Sequence, residues 1–104
     1  MRLSELAHEV EAVSRIYAER HGIKRDDTWF LLKLQEEVGE LTQAFLSRAG
    51  QARDKGRTAP EIESDFRAEL ADVLAHTLVM AGDFGVDLQQ EIDQKWLAWN
   101  PARQ

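Results

Sequence analysis

The sequence predicts an all-α protein whose protomer is a four-helix bundle. Apolar residues recur every three or four positions along most of the chain, which is typical of amphipathic helices. Glycine and proline divide the chain into four such stretches, and no stretch alternates apolar and polar residues as a half-buried strand would. The 104 residues, 43% of them hydrophobic and 31% charged, suit one globular domain over residues 1–104.

The first two helices are predicted from their apolar seams and their ends. The first covers about residues 3–20, and Gly22 is suited to end it. The second begins at a cap among residues 26–28 and runs to about Arg48. The predicted seams are Leu3, Leu6, Val10, Val13 and Tyr17 in the first helix, and Phe30, Leu34, Val38, Leu41 and Phe45 in the second.

A basic segment, residues 47–60, separates the second helix from the third. Its glycines and its few apolar residues indicate a loop, either simply solvated or able to close over a ligand. Thr58 and Glu61 form a capping-box pattern, which predicts the start of a third helix that runs to about Phe84. Gly82 and Gly85 are expected to break it. A fourth helix is expected from about Asp87 to just before Pro101.

Acidic residues occupy unusual places in the two central helices. Residues 70–81 are apolar nearly all round, so we expect Asp72 to be buried and to need a partner or a metal. Glu69 lies three residues before Asp72, and Glu37 and Glu40 have the same spacing on the second helix. If the two helices pack antiparallel, both carboxylate pairs face each other. Four carboxylates favour Mg²⁺, with Mn²⁺ as a substitute, over zinc.

The order of these motifs is similar to that of a known family. EEVGEL at 36–41, a basic loop, and ELADVL at 69–74 resemble the EExxE and ExxD motifs of the MazG-like all-α nucleoside triphosphate pyrophosphohydrolases, over residues 27–100. The resemblance implies cleavage of a nucleoside triphosphate to monophosphate and pyrophosphate, a role in clearing unwanted nucleotides, and a homodimer or homotetramer. It places the active site among the central helices, with Glu37, Glu40, Glu69 and Asp72 as metal ligands and Glu36 activating water.

Further substrate contacts follow from the same resemblance. Lys95 matches a family lysine that holds phosphate but is equally consistent with a solvated lysine on a terminal helix, and Asn100 lies near a family asparagine. His76 stands one turn after Asp72, where it could contact substrate or be a satisfied core histidine. Lys33 is expected to pair with Glu36 or Glu37. The tryptophans at 29, 96 and 99 could stack on a base, but core or interface roles are commoner.

Composition narrows the remaining choices. A net charge of −6 argues against binding long nucleic acid, and no apolar run is long enough to span a membrane. The chain has no cysteine and starts without a signal-peptide pattern, so we expect a cytoplasmic protein. A non-catalytic helical module for oligomerisation or partner binding is the alternative function. A di-iron bundle is disfavoured, because only Glu5 and His8 fit its ExxH pattern.

Overall fold

The computed structural model describes residues 1–103, and within them every regular element is helical. The elements are α1 (Leu3–Arg20), α2 (Asp27–Arg48), α3 (Ala59–Asp83), α4 (Leu88–Lys95) and two short 3₁₀ turns, Leu97–Trp99 and Pro101–Arg103. The all-α prediction is therefore confirmed. The described residues group into two compact units, a first unit of 1–23 with 78 onward and a second unit of 24–77.

Side-chain caps begin the helices where the sequence predicts them. The Asp26 carboxylate accepts a hydrogen bond from the Trp29 backbone N–H at 2.8 Å, and Asp87 caps α4 in the same way. Thr58 and Glu61 form both bonds of a capping box, each side chain accepting from the other residue's backbone N–H. These bonds satisfy amide groups that a helix leaves without partners in its first turn.

Glycine ends the three long helices by the same geometry. After α1, Gly22 takes φ +62°, and the Ile23 N–H reaches back to the Ala18 carbonyl at 2.8 Å, which is a Schellman motif. Gly50 and Gly85 end α2 and α3 in the same way. The prediction that Gly82 also breaks the third helix is wrong, because Gly82 lies inside α3. The fourth helix is shorter than predicted, since its α-helical part stops at Lys95.

The second unit is an antiparallel helical hairpin made of α2 and the first five turns of α3. Arg48 at the end of α2 pairs with Glu63 near the start of α3 at 2.5 Å. The Phe45 and Phe66 ring centroids lie 6.2 Å apart, one turn back along α2 and one turn further along α3. Further from the loop, carboxylate oxygens of Glu40 and Glu69 lie within 4.8 Å of each other, and Glu37 Oε1 lies 3.6 Å from His76 Nε2. The antiparallel arrangement on which the site prediction depends is therefore present.

The inward stripe of α2 differs from the predicted seam by about one residue. Phe30 and Glu37 are buried, whereas Val38 and Phe45 are exposed. Phe30 and Glu37 are seven residues apart, which places them on one side of the helix. The predicted seam followed the largest apolar residues, but the hairpin instead turns the adjacent stripe inward. A carboxylate consequently stands where the sequence predicted an apolar neighbour.

The first unit shows a similar shift on α1. Its inward residues include Ala18, whereas Leu6, Val13 and Tyr17 of the predicted seam are exposed. The last turns of α3 contribute Leu78, Val79 and Ala81 to the buried residues of this unit. No helix among residues 1–103 is long and apolar enough to cross a membrane.

Candidate metal centre

Three of the predicted ligands converge in the second unit. Carboxylate oxygens of Glu37, Glu40 and Glu69 lie within 4.8 Å of one another. Glu37 and Glu40 come from successive turns of α2, and Glu69 comes from the facing turn of α3. We call these three residues the glutamate cluster. An octahedral Mg²⁺ with ligands at about 2.1 Å separates opposite ligands by about 4.2 Å, so small side-chain rotations would bring three oxygens onto one ion.

Burial in the cluster is graded from inside to outside. The Glu37 side chain is only 9% exposed, Glu69 is half-buried, and Glu40 is exposed. The Oε2 atoms of Glu37 and Glu69 are both buried, and neither has a hydrogen-bond partner in the described structure. Buried carboxylate oxygens are normally paired, because their desolvation is costly. These two orphaned oxygens therefore mark a place where a cation or protons must compensate the charge.

The electrostatics of the cluster point the same way. Burial, followed by the neighbouring Glu40 and Asp72 carboxylates, raises the pKa of Glu37 from 4.5 to about 7. Burial and the same two acids also raise the pKa of Glu69. Proton sharing with Glu40 contributes at both positions. Lys33 opposes the rise at Glu37 but does not overcome it. The metal-free cluster thus holds protons near neutral pH, which a divalent cation would displace.

Lys33 joins the cluster to the predicted catalytic residue. Its Nζ lies 3.4 Å from Glu36 Oε1 and 3.6 Å from Glu37 Oε1, so the predicted pairing with one of these acids is confirmed and extends to both. The Glu36 side chain is 55% exposed and lies outside the convergent set. Glu36 is therefore positioned beside the cluster with access to solvent. The geometry is compatible with accepting a proton from water, and this role remains a prediction.

His76 extends the cluster along α3. Its Nε2 atom lies 3.6 Å from Glu37 Oε1, which is too long for a hydrogen bond. Burial, followed by the charge of Lys33, lowers the pKa of His76 despite the nearby carboxylates. Because the imidazole is then neutral at pH 7, the contact with Glu37 is not an ion pair. His76 offers the cluster a neutral polar group that can accept or donate one hydrogen bond.

Asp72 departs from its prediction. It was expected to be the buried acid of the site, but it is exposed, and its carboxylate is not among the convergent oxygens. The surrounding apolar residues misled the prediction, because Leu70 and Leu74 on either side of it are themselves about half exposed. Asp72 lies about 60° around the helix from Glu69, at the edge of the inward stripe. Its charge nevertheless acts on both Glu37 and Glu69.

The other two predicted substrate residues belong to the first unit. Lys95 is the last residue of α4 and is exposed. Asn100 uses its Oδ1 to accept the Ala102 N–H at 3.0 Å, which shapes the final 3₁₀ turn. Arg103 pairs with Asp93 in the same region. Phosphate binding by Lys95 and substrate binding by Asn100 remain predictions.

A cavity of about 310 Å³ adjoins the glutamate cluster. Glu40 and Glu69 line it, and so do Arg53, Lys55 and Arg57 from the loop between α2 and α3. Sequence reasoning identified the loop as basic but could not indicate which of its charges face the acids. Another cavity, of about 820 Å³, lies in the first unit between α1 and the end of α3, and none of the predicted site residues lines it.

The donor set fits a hard divalent cation. All three convergent ligands are carboxylates, two of them carry orphaned buried oxygens, and none of the described residues is a cysteine. Such oxygen-only sites suit Mg²⁺ or Mn²⁺. Sequence reasoning missed the burial of Glu37, although its seven-residue spacing from Phe30 was a usable signal.

Comparison of the chain with protein-family models, curated proteins and solved structures finds no match, so the assignment of function depends on this geometry and on the motif resemblance.

Proposed function

We propose that this protein is a Mg²⁺-dependent nucleoside triphosphate pyrophosphohydrolase of the MazG-like type. One observation carries the proposal: Glu37 is buried with an orphaned oxygen in contact range of two further glutamates that the motif resemblance names as ligands. A purely structural hairpin has no use for a buried acid with a raised pKa, because the buried charge destabilises the fold. The substrate class comes from the order of the two acidic motifs.

The acidic residues would have separate roles in the reaction. Glu37, Glu40 and Glu69 would hold Mg²⁺, and Asp72 would reach it only after its side chain moves inward. The ion would neutralise phosphate charge and make a neighbouring water more acidic. Glu36, which is exposed beside the cluster, would accept the proton of the attacking water. The water oxygen would end on one phosphate, and the bridging oxygen between the α and β phosphates would leave with the other product. Monophosphate and pyrophosphate would result.

The direct test is product identification. The full chain is incubated with a panel of ribo- and deoxyribonucleoside triphosphates and Mg²⁺, and the products are separated by ion-exchange chromatography. We expect monophosphate and pyrophosphate in equal amounts from at least one nucleotide, and loss of this activity in Glu37→Ala and Glu40→Gln. Release of inorganic phosphate alone, or no turnover with any nucleotide, would contradict the proposal. The second result would favour the alternative, a non-catalytic module for oligomerisation or partner binding.

A further inference from the structure

The four basic residues of the segment 47–60 fall into two pairs with different partners. Arg48 pairs with Glu63 and lies over the Phe66 ring, with its guanidinium carbon 5.1 Å from the ring centroid. Arg57 makes a two-pronged contact with Asp65, with bonds of 2.7 and 3.2 Å. These two arginines are neutralised by the start of α3. These ion pairs fasten the loop to the helix, and Arg57 also lines the 310 Å³ cavity.

Arg53 and Lys55 differ from them. Neither makes an ion pair or a hydrogen bond with any residue that the structure describes. Both line the 310 Å³ cavity that Glu40 and Glu69 also line. The remaining acids of the cavity are already engaged, since Asp65 binds Arg57 and Asp54 accepts the Gly56 N–H at 3.0 Å. Two positive charges without an ion-pair partner among the described residues therefore line the cavity beside the glutamate cluster.

The backbone holds Lys55 in an unfavourable conformation. Residues 54–57 form a tight turn, in which the Arg57 N–H bonds the Asp54 carbonyl at 2.9 Å. Lys55 and Gly56 have φ values of +54° and +79°, as in a type I′ turn. Glycine or asparagine is the usual residue at such a position, because a lysine side chain is strained there. Strained residues of this kind cluster at functional sites, where a side chain is needed despite its cost.

We infer that Arg53 and Lys55 form an anion subsite that holds the pyrophosphate end of a Mg²⁺-bound nucleoside triphosphate. This inference rests on the proposed function and adds the position of the leaving group. The cavity is near the lower limit of ligand pockets, about 300 Å³, so it suits two phosphate groups better than a whole nucleotide. A cavity lined by both carboxylates and cations matches a phosphate chain that is coordinated by metal through the carboxylates and by ammonium or guanidinium groups directly.

The test uses inorganic pyrophosphate with Mg²⁺ as the probe, titrated calorimetrically into the full-length wild type, Lys55→Gly, Arg53→Gln and the double variant. Each single substitution should weaken pyrophosphate binding about tenfold, and the double variant about a hundredfold. Lys55→Gly should also melt at the same temperature as the wild type or a few degrees higher, because glycine relieves the strain. Loss of affinity with unchanged or raised stability separates a binding role from a structural one.

Arg67→Gln is the matched control, because it removes one positive charge from an exposed site of α3 outside the cavity. It should leave pyrophosphate affinity within twofold of the wild type. The subsite is overturned if the wild type fails to bind pyrophosphate in Mg²⁺, if the two loop variants bind it normally, or if Arg67→Gln weakens it equally. Nucleotide hydrolysis separates the two proposals. If the protein hydrolyses nucleotides and the Arg53 and Lys55 variants do so at the wild-type rate, the subsite is contradicted but the proposed activity is not. If pyrophosphate binding depends on Arg53 and Lys55 but no nucleotide is hydrolysed, the proposed activity is contradicted but the subsite is not.

Discussion

At the scale of single residues, the most unusual feature of the hairpin is the buried acid Glu37. It occupies an inward position on α2 that an apolar residue would fill in an ordinary helical pair. Its partners are two further acids, a lysine on its exposed side and a histidine whose pKa is lowered. A charged Glu37 is therefore poorly compensated in the metal-free protein. Proton uptake and metal binding are the two ways to relieve it, and they compete.

The first prediction concerns the pH dependence of stability without metal. Because the pKa of Glu37 is about 7 in the folded state and about 4.5 when unfolded, the folded protein binds more protons between these values. The stabilising contribution of protonated Glu37 is fully present below pH 4.5 and is lost as the pH rises through 7. The test is chemical unfolding in EDTA at both pH values. From pH 5 to pH 7.5, the free energy of unfolding of the wild type should fall by about 1–2 kcal/mol relative to that of Glu37→Gln.

The comparison with Glu37→Gln isolates this effect. His76 has a lowered pKa, so by itself it makes stability rise with pH up to about 6.5, but it does so in both proteins. Only the difference between the two curves reports Glu37. If wild type and Glu37→Gln changed in parallel from pH 5 to 7.5, Glu37 would not carry the raised pKa.

The second prediction separates metal binding from proton transfer. Glu36→Gln keeps the shape of the side chain but removes its ability to accept a proton at neutral pH. It should lower kcat about 10²-fold or more and leave Mg²⁺ affinity nearly unchanged, because Glu36 lies outside the convergent oxygens. Steady-state kinetics and Mg²⁺ titration measure the two effects. Glu9→Gln on the exposed face of α1 is the control, and full turnover by Glu36→Gln would reduce Glu36 to a partner of Lys33.

At the scale of elements, the helices and their ends could be predicted from local sequence signals. Asp26, Thr58 and Gly22 act through their nearest backbone groups, so a short sequence window contains all the information needed. The face that each helix buries depends on its partner, and there the sequence was a poorer guide. Asp72 and Glu37 both stand beside apolar residues, and only the rotation of the hairpin decides that Glu37 points inward. The cavity beside Arg53 and Lys55 likewise depends on how the loop folds back.

The third prediction tests the capping box that starts α3. Thr58→Ala removes the hydroxyl that accepts the Glu61 N–H at 3.3 Å, and should cost about 1 kcal/mol of stability. Thr42→Ala is the matched control, since its hydroxyl only bonds the Val38 carbonyl inside α2, and alanine favours helix there. Thermal unfolding should show a lower Tm for the first variant and no decrease for the second. Equal losses in both would show that the cap is unimportant.

At the scale of the whole molecule, a single copy buries little apolar surface. Only five hydrophobic residues of the described chain count as buried. Large apolar side chains remain exposed in both units: Val13, Ile16, Leu31, Leu32, Leu70, Leu74, Trp96 and Trp99. Exposed apolar surface of this extent is typical of a protein that associates. If the protein associates, the larger residues of the predicted seams, which α1 and α2 leave exposed, would be available to a second copy.

The fourth prediction is self-association. Light scattering at micromolar concentration should give a mass at least twice the 11.9 kDa of one chain, as a homodimer or homotetramer. Tm should rise with protein concentration, because assembly stabilises the folded form by mass action. A monomer whose melting temperature is independent of concentration would contradict this prediction and leave the exposed residues unexplained.

The central claim is that the glutamate cluster binds Mg²⁺ in the folded protein, and calorimetric titration of Mg²⁺ tests it most directly. Titrations at pH 6 and pH 8, in two buffers of different ionisation heat, report both affinity and proton release. We expect wild-type binding that is tighter at pH 8, with protons released near pH 7 as the ion displaces them from Glu37, and no binding by Glu37→Gln. A wild type that shows neither Mg²⁺ binding nor a Mg²⁺-dependent rise in Tm at pH 8 would contradict the claim.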